Sequence, residues 1–335
     1  EFSSEPTILI SDPAEFGDGL HKMMLMADPP EHTGLRKIVS PDFVPRAARL
    51  LRPRIEQIAR EIVDGVEGRA ECDLVTDLAG LMPSYVIAEM LDLPHADGVA
   101  LYSLTEAIHA VPGETGDGPT GPEAVAAMMG YAMEVWQRKR SHPGDDLASR
   151  IVHATAGDRA LDEVDFGLFF MLLIDAGGDT TRNLVAGGVH TLFEHPGALA
   201  ALRADPDALL PTAVEEMLRW VSPVIYMRRR ARRDTTLGGV AIAEGDKVVM
   251  YYGAANRDPA HFADPERFDI TRTPNDHLAF GGGPHFCLGA HVGRMEIAAL
   301  LREIITRLPE LAPAGPVSWQ KSVFISGPRS MPVRF

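Results

Sequence analysis

The sequence carries one cysteine in a setting suited to a thiolate beside a flat, bulky ligand. It lies in Phe280-Gly281-Gly282-Gly283-Pro284-His285-Phe286-Cys287-Leu288-Gly289. A glycine-rich loop lets the backbone approach something flat and bulky. Leu288 to Leu308 has helical periodicity, so Cys287 falls at the start of a helix. There the helix dipole and free N–H groups stabilise a thiolate. Gly289 removes a side chain that would crowd a ligand's face. A buried, inert free cysteine is the plainer alternative. Cys72, which has no such loop, takes that bland role.

A second constellation is Ala176-Gly177-Gly178-Asp179-Thr180-Thr181, inside a long apolar segment. Each glycine weakens a helix by roughly 1 kcal/mol relative to alanine. A hydroxyl there can hydrogen-bond a backbone carbonyl and bend the helix. Together they open a groove for a small ligand, or they let two helices approach closely.

Three further groups concern positive charge and carboxylates. His32 and Arg36 lie one helical turn apart in Asp28-Pro29-Pro30-Glu31-His32-Thr33-Gly34-Leu35-Arg36 and make a pair of donors for carboxylates. Glu216 and Arg219 stand at i,i+3 and can pair on one helix face. The run Arg228-Arg229-Arg230-Ala231-Arg232-Arg233 holds five arginines in six residues. On an extended strand Arg228, Arg230 and Arg232 share one face and Arg229 and Arg233 the other, so only part of the run can meet a ligand.

The elements that must position these groups are mostly helices. Arg46 to Val66 places Ala47, Leu50, Leu51, Ile55, Ile58, Ile62 and Val66 near one face. Val75 to Leu91, Ala124 to Lys139 and Ala208 to Val221 read similarly. Asp162 to His195 is apolar on most sides and is expected to cross the centre of the molecule. Val111 to Pro122 reads as a long exposed loop. Strand signals are few: Thr235 to Tyr252, turning at Gly238-Gly239 and Glu244-Gly245, and two short strands in Val317 to Phe335. The expected fold class is mainly α with small β-sheets (α+β), the β portion concentrated in the last third of a single domain over 1–335.

Composition excludes several classes. The chain has 335 residues, 47 acidic against 32 basic, and a net charge of -15. That balance, and the lack of aromatics among the arginines, argues against nucleic acid as a partner. Two cysteines cannot build a disulfide framework. No apolar run approaches the ~18 residues of a membrane span, and no signal peptide is visible. The expected location is the cytoplasm.

The Phe-x-x-Gly-x-x-x-Cys-x-Gly loop resembles the haem-binding loop of the cytochrome P-450 superfamily. The other motifs follow in that family's order, over about Pro13 to Phe335. The resemblance implies heme b (iron protoporphyrin IX) with Cys287 as axial iron ligand, pushing electron density to iron for O–O cleavage. It implies Phe280, Gly289, Ala176 and Gly177 against the cofactor, and His32, Arg36, Arg229 and His285 as donors to its propionates. Thr180 would hold a hydrogen-bond network at bound oxygen, and Asp179 would relay protons. Glu216, Arg219 and Arg267, the last in Pro265-Glu266-Arg267-Phe268, would form a structural triad. The candidate substrate pocket is Ile174, Asp175, Val224, Ile225, Tyr226, Phe324 and Ile325, mostly apolar.

The function implied is a haem-dependent monooxygenase that hydroxylates a lipophilic small molecule (sterol, terpenoid or fatty-acid-like), as in actinobacterial branches of the family. No Rossmann fingerprint is present, so electrons would come from a separate donor, ferredoxin and ferredoxin reductase. That donor would dock where Arg36, Lys37, Arg46 and Arg294 offer positive charge. A peroxide-driven peroxygenase is the alternative within the class, and a non-catalytic haem-binding protein the alternative outside it. Family members carry a first helix and outer sheet strands before this chain's first residue. The expectation is an N-terminally shortened P-450 fold with an exposed sheet edge beside Arg229.

Overall fold

The computed structural model describes residues 1–11, 23–111 and 118–335. Its helices are α1 (Glu31–Val39), α2 (Pro45–Asp64), α3 (Leu81–Met90), α4 (His95–His109), α5 (Gly121–Ser141), α6 (Leu147–Val152), α7 (Glu163–Glu194), α8 (Pro196–Ala204), α9 (Pro206–Val221), α10 (Tyr252–Ala255) and α11 (Ala290–Arg307). Local chemistry sets several of these starts. A capping box of Asp162 and Asp165 opens α7, and one of Thr120 and Glu123 opens α5. The Asp205 side chain caps α9, which ends at Ser222 in the left-handed region at φ 42°.

The central helix is α7. From Phe166 to Ile174 and from Thr181 to Val189 every residue is buried. A helix that is apolar all round must be wrapped by others, and α3, α4, α5, α9 and α11 pack against it. Glycines let α9 and its end approach α7 closely: a Cβ at Gly187 would stand 2.9 Å from Val221, and one at Gly188 2.8 Å from Met217. On its far side α11 packs along α2.

The strands are short: β1 (Phe2–Ser3), β2 (Glu71–Asp73), β3 (Thr155–Ala156), β4 (Arg159–Ala160), β5 (Tyr226–Ala231), β6 (Thr235–Leu237), β7 (Val240–Ile242), β8 (Lys247–Tyr251), β9 (Ala312–Pro313), β10 (Ser318–Trp319), β11 (Pro328–Ser330) and β12 (Pro332–Arg334). They form antiparallel sheets in the orders β1-β5-β8 and β2-β12-β9, with pairs β3-β4, β6-β7 and β10-β11.

The β structure is concentrated in the last third, and β12 reaches back from it to pair with β2, joining Val333 to Cys72. Strands of two or three residues are too short to show a period of two. Three expectations need correction. The edge of β5 is not open along Arg230 and Ala231, which pair with Ser3 and Phe2. The segment from Val75 splits into a π-helical turn (Val75–Ala79) and α3. And α11 begins two residues later than read, at Ala290, capped by Gly289. Of the loop expected over 111–122, residues 112–117 lie outside the described residues, and Gly121 and Pro122 already belong to α5. No helix is long and apolar enough to cross a membrane, among the described residues.

Candidate active site

Cys287 sits between the glycine loop and α11. Gly281 and Gly283 adopt φ of 68° and 66°, which only glycine takes without strain. The turn they make lets the Cys287 N–H donate to the Phe280 carbonyl at 2.9 Å. A Cβ added at Gly289 would meet nothing within 4 Å, so open space adjoins the cysteine as expected. Burial pushes the Cys287 thiol up, while a backbone hydrogen bond from Gly289 and the charges of Arg36 and Arg294 pull it down. Those same opposing causes would favour a thiolate once a cation stands against the sulfur.

The expected carboxylate donors converge beside this loop. His32, on α1, is buried at 2% exposure, and its ring centroid lies 4.1 Å from that of His285. Its Nδ1 is buried with no hydrogen-bond partner. His285 Nε2 bonds Ser4 Oγ at 3.1 Å. Burial pushes the His285 imidazole down to about 4, helped by the nearby His32, Arg229 and Arg36 and opposed by Asp28. Arg229, half-buried on β5, donates to the Arg228 carbonyl at 2.8 Å. Arg36 donates to the Phe286 carbonyl at 2.6 Å and so ties α1 to the cysteine loop. The rest of the arginine run departs from the strand period, which would put Arg228, Arg230 and Arg232 on one face: Arg230 is exposed and β5 ends at Ala231. Arg228 is buried and reaches the Leu9 carbonyl at 3.0 Å, whereas Arg232 pairs with Asp28 at 2.6 Å.

This donor set fits a haem. Two imidazoles and two guanidiniums meet at one place, where Asp28 opposes the effect of the other three on His285. Crowding like charges is costly unless a dianion joins them, and the two propionates of a haem supply one. The orphaned His32 Nδ1 and the open space at Gly289 point the same way.

The other wall comes from α7. Between Phe166 and Val189 only Asp175, Ala176, Gly177 and Thr180 escape full burial, and Ala176 is exposed. A Cβ at Gly177 would meet nothing within 4 Å. An opening therefore faces the centre of an otherwise enclosed helix. Thr180 Oγ1 donates to the Ala176 carbonyl at 2.9 Å, the bend-promoting bond that the sequence suggests. Next to it, Thr181 turns toward α11. A Cβ at Gly293 would lie 3.8 Å from its Oγ1, and the side chain hydrogen-bonds Glu296. Burial pushes the Glu296 carboxyl up to about 7. So α7 at Thr180 and α11 just beyond Cys287 are in register across one contact.

Asp179 stands apart from Thr180. It is 1% exposed, accepts from Arg182 at 2.8 Å and from the Tyr102 hydroxyl at 3.3 Å, and its Oδ2 has no partner. Burial raises its pKa, against the opposing charges of Arg182 and His109. Sequence reasoning named Asp175 and Asp179 but missed Tyr102, Glu106, His109 and Arg182, which complete a ladder with them. Tyr102, Glu106 and His109 recur at helical spacing on α4, and Asp175, Asp179 and Arg182 do so on α7. The periodic polar positions of α4 were the available signal. Tyr252 was missed too: its hydroxyl would lie 3.1 Å from a Cβ at Gly281, and Arg229 and Cys287 both act on it.

The structural triad has a different third member. Glu216 and Arg219 pair at 2.8 Å, fully buried. Arg272, not Arg267, completes the group, with Nε 3.1 Å from Glu216. The Arg267 side chain is 69% exposed, and only its carbonyl, 3.1 Å from Arg219, takes part. Asn275 donates to Glu216 at 3.0 Å, and the Asp269 N–H at 2.8 Å. The chain folds back after Phe268, which carries residue 272 inward; spacing alone did not reveal this. Of the four cations expected to face a partner, Arg294 is tied to Glu215 at 2.6 Å and Arg36 to Phe286. Lys37 and Arg46 remain exposed.

The expected pocket residues cluster. Val224 bridges Ile325, and the Ile225 N–H donates to the Phe324 carbonyl at 2.9 Å. The Phe324 ring lies 5.5 Å from Tyr226 and 5.7 Å from His109, and His109 bonds Asp175 at 2.7 Å. Tyr226, Ile325 and Ile174 are buried at 2%, 3% and 1% exposure, and Ile174 belongs to the core cluster.

Comparison with known proteins agrees with this geometry. The cytochrome P450 family model matches residues 137–310. A relative from Mycobacterium tuberculosis, named putative cytochrome P450 126, is 39% identical over 323 residues, covering 93% of this chain and 77% of that protein. The methyl-branched lipid omega-hydroxylase of Mycobacterium bovis is 37% identical over 338 residues, covering 99% and 79%. Among solved structures, Mycobacterium marinum cytochrome P450 CYP268A2 in complex with pseudoionone superposes with a TM-score of 0.93 at 37% identity, over 100% of this chain and 82% of that one.

Proposed function

The chain belongs to the cytochrome P450 family, the haem-thiolate monooxygenases, and from that premise we propose that residues 1–335 form one catalytic domain that hydroxylates a lipophilic small molecule. The overall reaction is RH + O₂ + two electrons + two protons → ROH + water. Haem b, when bound, supplies oxygen activation. The chain's own residues bind, orient and protonate. Cys287 would be the iron ligand. His32, Arg36, Arg229 and His285 would hold the propionates, and Phe280, Gly289, Ala176 and Gly177 would bound the ring's faces. The carrying observation is the convergence of those four donors beside the Cys287 loop, where His32, Arg229 and Arg36 all act on His285.

Proton handling falls to Thr180 and Asp179. The Thr180 hydroxyl can donate toward the opening once it leaves the Ala176 carbonyl. Asp179 is buried with one free oxygen, and burial raises its pKa, which favours its holding a proton there. An acid held ready to deliver protons favours an oxygen-driven monooxygenase over a peroxygenase, whose oxidant already carries them. The apolar wall of Val224, Ile225, Phe324 and Ile325 supports a lipophilic substrate of sterol, terpenoid or fatty-acid-like type. A methyl-branched lipid hydroxylase among the relatives supports the same class. Electrons would come from ferredoxin and its reductase, in the cytoplasm.

The deciding experiment is the spectrum of the reduced carbon monoxide complex. A strongly red-shifted Soret band is expected from thiolate ligation. A band at the imidazole-like position would sink the Cys287 assignment. Bound, reducible haem with no product from lipophilic substrates and surrogate redox proteins would favour the binding-protein reading instead.

A further inference from the structure

His109 and Asp175 form an ion pair that the machinery above does not use. His109 is the last residue of α4, and its Nε2 lies 2.7 Å from Asp175 Oδ1 on α7. Asp175 belongs to the short stretch of α7 that escapes burial, directly before Ala176. On the other side, the imidazole leans on Phe324 at 5.7 Å, and Phe324 joins Tyr226, Ile225 and, through the Val224 bridge, Ile325. The pair is therefore the polar member of an otherwise apolar wall. Its side chains stay 13% and 26% exposed.

We propose that the His109–Asp175 pair is the polar anchor of the substrate cavity and selects lipophilic molecules bearing a carbonyl oxygen. With Nε2 committed to Asp175, His109 has Nδ1 left for a ligand, and no side chain or backbone group described here bonds it. As an imidazolium that nitrogen is a donor only. It meets an acceptor oxygen with a charge-assisted bond. Asp175 holds the imidazole charged, raising its pKa to about 9 against the cost of burial. The neighbouring ladder acts in the same sense: Asp179 also raises the His109 pKa. Because Asp175 balances the charge, the anchor presents a dipole more than a net cation. A neutral carbonyl suits it better than a second full charge. A site built to hydrogen-bond a substrate oxygen also rejects the analogue that lacks it, since the donor is then left unpaired in an apolar place.

This inference rests on the lipophilic reading of the cavity, and its test separates the two. Butyrophenone and n-butylbenzene share one skeleton and differ by a carbonyl in place of a methylene. Their dissociation constants are measured on the haem-loaded protein by spectral titration and by calorimetry. In native protein both bind, and His109→Phe lowers the affinity for the ketone relative to the hydrocarbon by roughly tenfold. The phenyl ring keeps the contact with Phe324, so hydrocarbon affinity is expected to change less than about twofold. Asp175→Asn, which keeps the side chain's shape, gives a smaller loss of the same preference and serves if the first variant folds poorly. An unchanged ketone-to-hydrocarbon ratio in both variants overturns the anchor. Failure of both ligands to bind native protein overturns the lipophilic reading, and the anchor with it.

Discussion

At the scale of single residues, position within a helix decides role. Thr180 and Asp179 are adjacent in sequence yet face different surroundings, one at an opening and one in a buried ladder. Thr180→Ala removes the hydroxyl but leaves the Asp179–Arg182 bond at 2.8 Å untouched. The expected outcome is continued oxygen consumption with a falling share of product and rising peroxide, measured as product formed per reducing equivalent. Unchanged coupling would remove Thr180 from proton handling. The Glu216–Arg219 pair behaves differently, because both side chains are 0% exposed. Arg219→Met leaves Glu216 buried with one cation fewer. Breaking such a pair costs about 3–5 kcal/mol, read as a lower denaturation midpoint. A loss below about 1 kcal/mol would show that Arg272 alone suffices.

At the scale of elements, close packing of helices rests on a few glycines. A Cβ at Gly98 on α4 would stand 2.6 Å from the Ser84 backbone oxygen on α3 and 2.9 Å from Ala88. Backbone cannot move aside cheaply, so Gly98→Ala is expected to destabilise by about 1–3 kcal/mol. Gly130 on α5 is exposed, and its Cβ would meet nothing within 4 Å. There Gly130→Ala is expected to stabilise by up to about 1 kcal/mol through helix propensity. Chemical denaturation of both variants checks the contrast in sign. Equal effects would mean that the α3–α4 contact is looser than these distances imply.

At the scale of the whole molecule, pH and salt act through buried and summed charge. Glu215 is held down to about 2, from an ordinary 4.5, by Arg294 and His277 against the opposing effect of burial. Its stabilisation is present above about 4.5 and is lost as pH falls toward 2. Glu296 is the reverse, raised by burial from 4.5 to about 7. Below 4.5 it is protonated folded or unfolded and costs nothing, and between 4.5 and 7 stability falls as pH rises. The shift corresponds to about 3 kcal/mol above pH 7. Glu296→Gln is therefore expected to raise stability at alkaline pH and to flatten the decline, in a series of unfolding curves across pH. A slope unchanged by the substitution would place the titration elsewhere. The net charge of -15 adds a general repulsion that salt screens. Thermal stability is thus expected to rise modestly between low salt and roughly 0.15 M.

Chemistry that is local could be read from the order of residues alone. Glycines at 281 and 283, a cysteine before a helix, and donors spaced by one turn depend on a few consecutive residues, whose backbone options are limited by sterics. The same holds for the apolar periodicity of α7, which announces a buried central helix. What only the tertiary structure decided lies between segments distant in the chain. Arg272 replaced Arg267 in the triad because the chain reverses after Phe268. Phe2 and Ser3 cover β5, and β12 reaches back to β2, through strands too short to show a pattern. Asp175 and Asp179 look alike in sequence, but one meets His109 at the opening and the other Arg182 in the core. A side chain's charge and hydrogen bonds depend on what stands within a few ångströms, and no spacing along one segment specifies a neighbour supplied by another.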